Sequence, residues 1–256
     1  MPPPIKPQAP RSWERIDLPN FNGRKVFVTG GAFYSQIVGL MAASGMTRAT
    51  SVKDADIVVF SGGADVNPAL YGQQPIRETS WSSERDDAEI AVYVEAVERN
   101  KTLFGICRGA QFIHVMNGGH LWQHVEGHGG TNHYITDLED NYVLVTNSIH
   151  HQMLIENEDI DIAAVCSGQV SRKFMCDDQT EDLSDGETMQ EIEAGYYVDD
   201  RSFFTQGHPE VGSDIYRSWC MNKLYDHVIE WELFDLEALE DDDGDSDLFT
   251  AAEETS

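Results

Sequence analysis

Positive charge is scarce in this chain. Across 256 residues, 17 lysines and arginines stand against 45 aspartates and glutamates, a formal net charge of -28. A surface of that sign repels phosphate backbones and argues against a nucleic-acid partner. No apolar run approaches the ~18 residues that a membrane-spanning helix requires, so no membrane partner is expected. The first residues, MPPPIKPQAPRSW, lack the apolar core of an export signal, and the expectation is a cytoplasmic protein. Cysteine is sparse too. Cys107, Cys166, Cys176 and Cys220 contain no Cys-x-x-Cys pair and are too few for a disulfide scaffold, which fits a reducing compartment and leaves free thiols. Gly30-Gly31 is followed by neither a dinucleotide fingerprint nor a Gly-Lys-Ser/Thr sequence, so it reads as a turn and no cofactor is expected.

What remains is a chain of 41% hydrophobic residues, enough for one sizeable core. Residues 1–11 are proline-rich and read as an extended tail, 12–234 as one domain, and 235–256 as an acidic, disordered tail. Within the domain, Lys25–Thr29, Asp56–Phe60 and Thr102–Ile106 read as buried strands. They alternate with helices at Gln36–Ser44, Ser83–Asn100 and Gln111–Met116. In the helix from Ser83, Ile90, Val94 and Val97 are predicted to face the core, with the acids on the opposite side. Further strands are predicted at Tyr142–Val145, Ile162–Val165 and Ser202–Thr205, and a closing helix from Asp214 to about Phe234. Apolar strands alternating with helices predict a parallel sheet covered on both faces. Ligands in such folds bind at the carboxyl ends of the strands.

Three of those strand ends carry chemistry. Gly105-Ile106-Cys107-Arg108-Gly109-Ala110-Gln111 flanks a cysteine with glycines at a strand-to-helix junction, the pattern of a nucleophile elbow. A helix N-terminus behind a sulfur favours its thiolate form. Gly62-Gly63 follows the second strand, and its amides together with that of Arg108 are candidate donors to an oxyanion. His208 follows the Ser202–Thr205 strand, with Glu210 two residues on. They offer a base for Cys107 and an acid to orient that base.

These signals resemble, in this order along the chain, the class I glutamine amidotransferase-like superfamily, and most closely its gamma-glutamyl hydrolase branch, which includes the gamma-glutamyl-gamma-aminobutyrate hydrolases. The resemblance covers roughly residues 25–212 and rests on SGGADVNPALYG (61–72), ERDDAEIAVYVEAV (84–97), LFGICRGAQFIHVMNGGHLWQHV (103–125), NSIHHQ (147–152) and FFTQGHPE (203–210). It implies a flavodoxin-like α/β three-layer sandwich with a mostly parallel central sheet. It also implies Cys107 as a nucleophile forming a gamma-glutamyl thioester, His208 as base and Glu210 as the acid behind it. Gly63, Gly62 and Arg108 align with oxyanion donors, and Gln111 with a position beside the substrate's glutamyl carbonyl. His150, His151 and Gln152 match a block near the pocket.

The implied activity is hydrolysis of glutamine or a gamma-glutamyl amide. The alternatives are a glutaminase subunit supplying ammonia to a separate synthetase partner, and an idle binding or assembly protein on the same fold. The family's aromatic before the His-Pro-Glu histidine is Gly207 here, its proline before the Gly-Gly pair is Ser61, and the acidic stretch 166–193 aligns poorly. His120, His124 and His128, with His114 and His133 nearby, would line one helix face as a metal site. Gly118-Gly119 interrupts that helix, so the segment reads as a loop without a metal. Trp81, Trp122 and Trp219 read as core or cleft rim, and His227 as a surface residue.

Overall fold

In the computed structural model, which describes residues 17–177 and 179–243, the first half of the chain alternates as the hydrophobic pattern requires. β1 (Lys25–Val28), α1 (Tyr34–Ala43), β2 (Thr47–Arg48), β3 (Ile57–Phe60), α2 (Ser83–Glu98), β4 (Thr102–Ile106) and α3 (Arg108–Met116) follow one another. The predicted tail 1–11 lies outside the described residues, as do residues 244–256 of the predicted acidic tail.

The second half is rich in strands. It contains β5 (His120–Trp122), β6 (His124–Val125), β7 (Gly129–Asp137), β8 (Tyr142–Ile149), β9 (Met153–Ile155) and β10 (Asp161–Cys166). Next come β11 (Lys173–Met175), β12 (Thr180–Asp182), β13 (Ile192–Tyr197), β14 (Ser202–Thr205) and α4 (Asp214–Asp243). The segment after α3 is thus two short strands rather than a loop. Helix α4 runs on past Phe234 through a Leu-, Ala- and Glu-rich stretch, residue types with strong helix propensity.

The main sheet has nine strands in the order β2-β1-β3-β4-β14-β13-β10-β7-β8. β1 pairs in parallel with β2 and β3, and the parallel run continues through β4 to β14. From β14 onward every neighbour is antiparallel. β3, β4 and β14 are buried along their whole length, as strands covered on both faces must be. Helices α1 and α4 cover one face, with Ile37, Met41, Trp219 and Leu224 in the core. Helices α2 and α3 cover the other with Tyr93, Ala96, Phe112 and Ile113. A smaller core around Trp122, Met153 and Phe174 sits under the short strands β5, β6, β9 and β11. Among the described residues no helix is long and apolar enough to cross a membrane.

Two side-chain placements differ from the hydrophobic pattern. On α2, Val94 is 44% exposed, whereas Asp86 and Glu89 are buried beside Tyr93 and Ala96. The helix is rotated because the two acids meet buried arginines, described below. His227 is buried, not at the surface, and packs its ring against Tyr196.

Helix α4 is latched to the antiparallel half through two carboxylates, Asp137 and Glu139, the second of which pairs with Lys223 at 2.6 Å. Asp137, fully buried at the end of β7, accepts from Trp219 Nε1 at 2.7 Å and faces Lys223 Nζ at 2.9 Å. Asp137→Ala leaves a buried indole N–H without its acceptor and takes one of two carboxylates from Lys223, which keeps Glu139 at 2.6 Å, and is expected to lower the unfolding free energy by about 1–3 kcal/mol in urea titration. A loss below about 1 kcal/mol would mean that the latch does not hold α4.

Candidate active site

The carboxyl ends of β3, β4 and β14 lie side by side because these strands are parallel neighbours. They deliver Gly62, Cys107 and His208 to one place. A β-carbon built on Gly62 would lie 2.9 Å from His208 Cε1 and 3.6 Å from Cys107 Cβ.

Cys107 occupies the first position after β4 with φ 54° and ψ -110°, the sharp turn of a nucleophile elbow. Its N–H donates to Thr205 O at 2.8 Å, and its carbonyl accepts from the N–H groups of Ala110 and Gln111. Gly109 is required by close approach, since a β-carbon there would stand 2.1 Å from the Phe60 carbonyl oxygen. The turn therefore packs α3 directly on β3.

His208 Nδ1 hydrogen-bonds Glu210 Oε1 at 2.7 Å, and the imidazole stands beside the Cys107 side chain. Burial works against a charged imidazole. Its interactions with Cys107 and Glu210 outweigh burial, and the His208 pKa rises to about 10. Asn147 clamps this residue at both ends. Its Oδ1 accepts from His208 N–H at 2.9 Å and its Nδ2 donates to His208 O at 3.0 Å. The ring of Phe33, itself in a left-handed conformation, stands edge-on to the imidazole at 5.2 Å. Gly207 leaves room for Tyr216 from α4, whose hydroxyl oxygen lies 2.3 Å from where a β-carbon would be. An aromatic from the closing helix thus takes the space beside the histidine.

Below the reacting groups lies a buried charge network. Arg108, 1% exposed, pairs with Asp86 and Glu89 of α2 and stacks over Phe112. Burial and the nearby Arg85 push its pKa down to about 10, so it stays cationic at neutral pH. Arg85 shares Glu89 at 3.0 Å and donates to the carbonyls of Ser61 at 2.9 Å and Gly62 at 3.1 Å. The Gly62 carbonyl also accepts from Ala32 N–H at 3.0 Å. With that oxygen pinned, the trans peptide directs the N–H of Gly63 to the opposite side. One carboxylate thereby ties the Gly62-Gly63 turn to the elbow.

The remaining candidates are placed unevenly. Gln111 Nε2 reaches Gln206 Oε1 at 3.3 Å, just before the histidine turn. Gln152 is buried with its Nε2 on the Gln123 carbonyl. His151 Nε2 pairs with Asp65 at 3.1 Å, which raises the imidazole pKa. His150 turns away from the elbow, with Nδ1 on the Gln152 carbonyl at 2.9 Å and Nε2 facing Glu193 at 3.8 Å. Burial lowers its pKa to about 3. The histidines that helical spacing would align are dispersed. His114 bonds Tyr197 and the His120 carbonyl, His124 faces His151, and His128 and His133 join Glu193. Sequence reasoning missed Arg85, Glu89, Asn147 and Phe33, although three of the four stand inside the motif blocks quoted above.

A sequence profile described as Peptidase C26 matches residues 35–172. The glutamine amidotransferase-like protein YvdE homolog of Lactococcus lactis subsp. cremoris is 33% identical over 119 residues, 39% of this chain and 63% of that protein. The matched part therefore spans less than two thirds of that relative. The carbamoyl phosphate synthase small chain of Stutzerimonas stutzeri is 31% identical over 175 residues, 68% of this chain and 37% of that protein. A glutamine amidotransferase of Thermotoga maritima superposes with a TM-score of 0.50 at 11% identity, over 83% of this chain and 86% of that one, a likeness of fold.

The His208 imidazole beside it makes Cys107 the thiol expected to react first with electrophiles, although Cys166 is the more exposed. Burial and neighbouring carboxylates push the Cys166 thiol well above its usual range, and burial does the same to Cys220. Limited alkylation read by peptide mass spectrometry should label Cys107 first, and His208→Ala should slow that labelling by roughly tenfold or more. Labelling of Cys166 or Cys220 ahead of Cys107 would contradict this ordering.

Proposed function

Because the chain belongs to the Peptidase C26 family, of the class I glutamine amidotransferase-like type, we propose that it is a cysteine hydrolase of the gamma-amide of glutamine or of a gamma-glutamyl amide. The observation that carries this reading is the His208 imidazole held between Cys107 and Glu210 at the carboxyl end of a parallel sheet. In this reading His208 holds the proton that Cys107 gives up to act as the nucleophilic thiolate.

The thiolate attacks the gamma-carbonyl carbon, and the carbonyl oxygen takes up negative charge. The N–H groups of Gly63 and Arg108 stabilise that oxyanion, with the Gly62 amide in reserve. Collapse of the tetrahedral intermediate breaks the C–N bond as His208 gives its proton to the departing ammonia or amine. A gamma-glutamyl thioester on Cys107 remains. His208, now neutral, takes a proton from water, whose oxygen attacks the thioester and releases glutamate. Glu210 keeps the imidazole oriented and favours its charged form. Arg85 is a positioning residue: it touches no reacting atom but holds the carbonyls behind the oxyanion donors. Gln111 and Gln152 line the glutamyl side, and His151 stands half-exposed at the rim.

A second reading is favoured by the similarity to a carbamoyl phosphate synthase small chain, namely a glutaminase subunit supplying ammonia to a synthetase partner. Ammonia or amine release by the purified chain alone, measured on glutamine and a panel of gamma-glutamyl amides, separates the two. Turnover without a partner supports the hydrolase, whereas turnover only with a synthetase supports the subunit. No turnover and no reaction of Cys107 would sink both.

The pH profile carries an independent signature. With the His208 pKa at about 10, kcat/KM should hold its plateau to the alkaline side and fall as pH passes about 10, where the imidazolium loses its proton. Glu210→Gln removes a charge that raises this pKa, so the alkaline limb should move to lower pH. An unmoved limb would mean that Glu210 does not act on His208.

A further inference from the structure

One cluster lies outside the proposed mechanism. Glu193, fully buried on β13, directs Oε1 at four donor atoms from different elements. His133 Nε2 from β7 lies at 3.0 Å, His128 Nδ1 from the residue before that strand at 3.5 Å, Cys166 Sγ from the end of β10 at 3.5 Å, and His150 Nε2 at 3.8 Å. We propose that His128, His133, Cys166 and Glu193 form a structural binding site for a divalent cation, zinc by its donor chemistry.

Distance is the first support. One ligand atom from each of the four residues lies within 4.8 Å of all the others. Around a tetrahedral zinc with bonds of about 2.0–2.3 Å, ligand atoms stand about 3.3–3.8 Å apart. The 3.5 Å separations from Glu193 to His128 and Cys166 fall in that interval, and the 3.0 Å separation to His133 is just short of it.

Proton placement is the second support. Glu191 accepts on Oε1 from the N–H groups of Val170 and Ser171, and its Oε2 lies 2.5 Å from His128 Nε2. The Nε2 proton of His128 therefore goes to Glu191, and the Nδ1 lone pair faces the cluster. Ser148 Oγ lies 3.3 Å from that nitrogen, but its hydroxyl proton has the shorter contact, to the His128 carbonyl at 2.6 Å. A carboxylate gripping the far nitrogen of an inward-facing imidazole is the usual outer support of a metal-bound histidine. His150 repeats the pattern. Its Nδ1 lies 2.9 Å from a carbonyl oxygen, so its Nε2 lone pair also points at Glu193 and has no hydrogen-bond partner. Glu193 Oε2 is likewise buried and unpartnered. His133 and Cys166 can hydrogen-bond Glu193 Oε1, but the unpartnered His150 Nε2 and Glu193 Oε2 are buried acceptors that a cation between them would relieve.

Charge is the third support. A thiolate, a carboxylate and two neutral imidazoles form a donor set whose charge matches that of a divalent ion. The donors are one thiolate sulfur, two imidazole nitrogens and one carboxylate oxygen, all of them zinc ligands, and four close the coordination sphere. Binding moves the Cys166 proton to solvent and puts the sulfur on the metal. Cys166 and Glu193 bracket the acidic stretch that carries β11 and β12. The ion would therefore staple β7, β10 and β13 together and fix both ends of that excursion, independently of whether the chain is a hydrolase.

Chain refolded or expressed with zinc and freed of excess ion should carry one zinc per molecule by mass spectrometric metal analysis, and its melting temperature should rise by several degrees over the chelator-treated form. Cys166→Ser and Glu193→Gln should each lose the ion. If those variants fail to fold, cobalt-substituted wild-type protein gives the answer through a thiolate-to-cobalt charge-transfer band. Absence of stoichiometric zinc in folded wild-type protein, zinc retained by folded Cys166→Ser, or a cobalt complex without thiolate character would each overturn the proposal.

Discussion

Everything at the cleft depends on the backbone of Cys107, which is held where an L-residue is rarely found. A residue at φ 54° and ψ -110° costs on the order of 1–3 kcal/mol, and the surrounding structure must offset this. β4 is hydrogen-bonded on both sides, to β3 and β14, and the Cys107 N–H continues that ladder to Thr205. Gly109 lets α3 sit against the β3 backbone, and Arg108 anchors the first turn of α3 in the buried acids of α2. The turn is thus fixed from three directions. The same acid, Glu89, holds Arg85, and through it the Gly62-Gly63 carbonyls, so the two halves of the proposed oxyanion site share one support.

The parallel half of the fold was open to reading because its signals are local. Apolar runs of four or five residues ending in glycine or cysteine mark the strands, and their shared direction brings the strand ends together. The burial of Asp86 and Glu89 was not readable. Acids on an amphipathic helix suggest a solvent face, and only the arrival of Arg108, more than a turn of structure away in sequence, turns that face inward. Asn147 gave a faint signal within NSIHHQ, but its role depends on the His208 backbone lying opposite it. The antiparallel half was obscure for a different reason. β7 and β13 place His133 and Glu193 on inward positions, so their polar content masked the alternation by which a strand is recognised. The histidines drew attention through a helical spacing, whereas β6 and β7 distribute them to unrelated partners.

The two halves also differ in chemistry. The parallel half sets a buried thiol, Cys107, beside His208, the base of the proposed reaction. The antiparallel half sets its more exposed thiol, Cys166, among imidazoles and carboxylates with no such role. Gln206 lies between them, bonded to Gln111 on one side and to the Gln152 carbonyl beside His150 on the other. Strand β14 thus places the proposed base next to a rigid, buried polar layer, which keeps the imidazole in register with the sulfur.

The central claim is that Cys107 carries an acyl group during turnover. Rapid acid quench of the protein with a gamma-glutamyl substrate, followed by intact and peptide mass spectrometry, tests it directly. The account predicts a gamma-glutamyl mass added to the peptide containing Cys107 and absent from Cys107→Ala. Turnover that proceeds at the wild-type rate in Cys107→Ala, or an adduct on another residue, would contradict it.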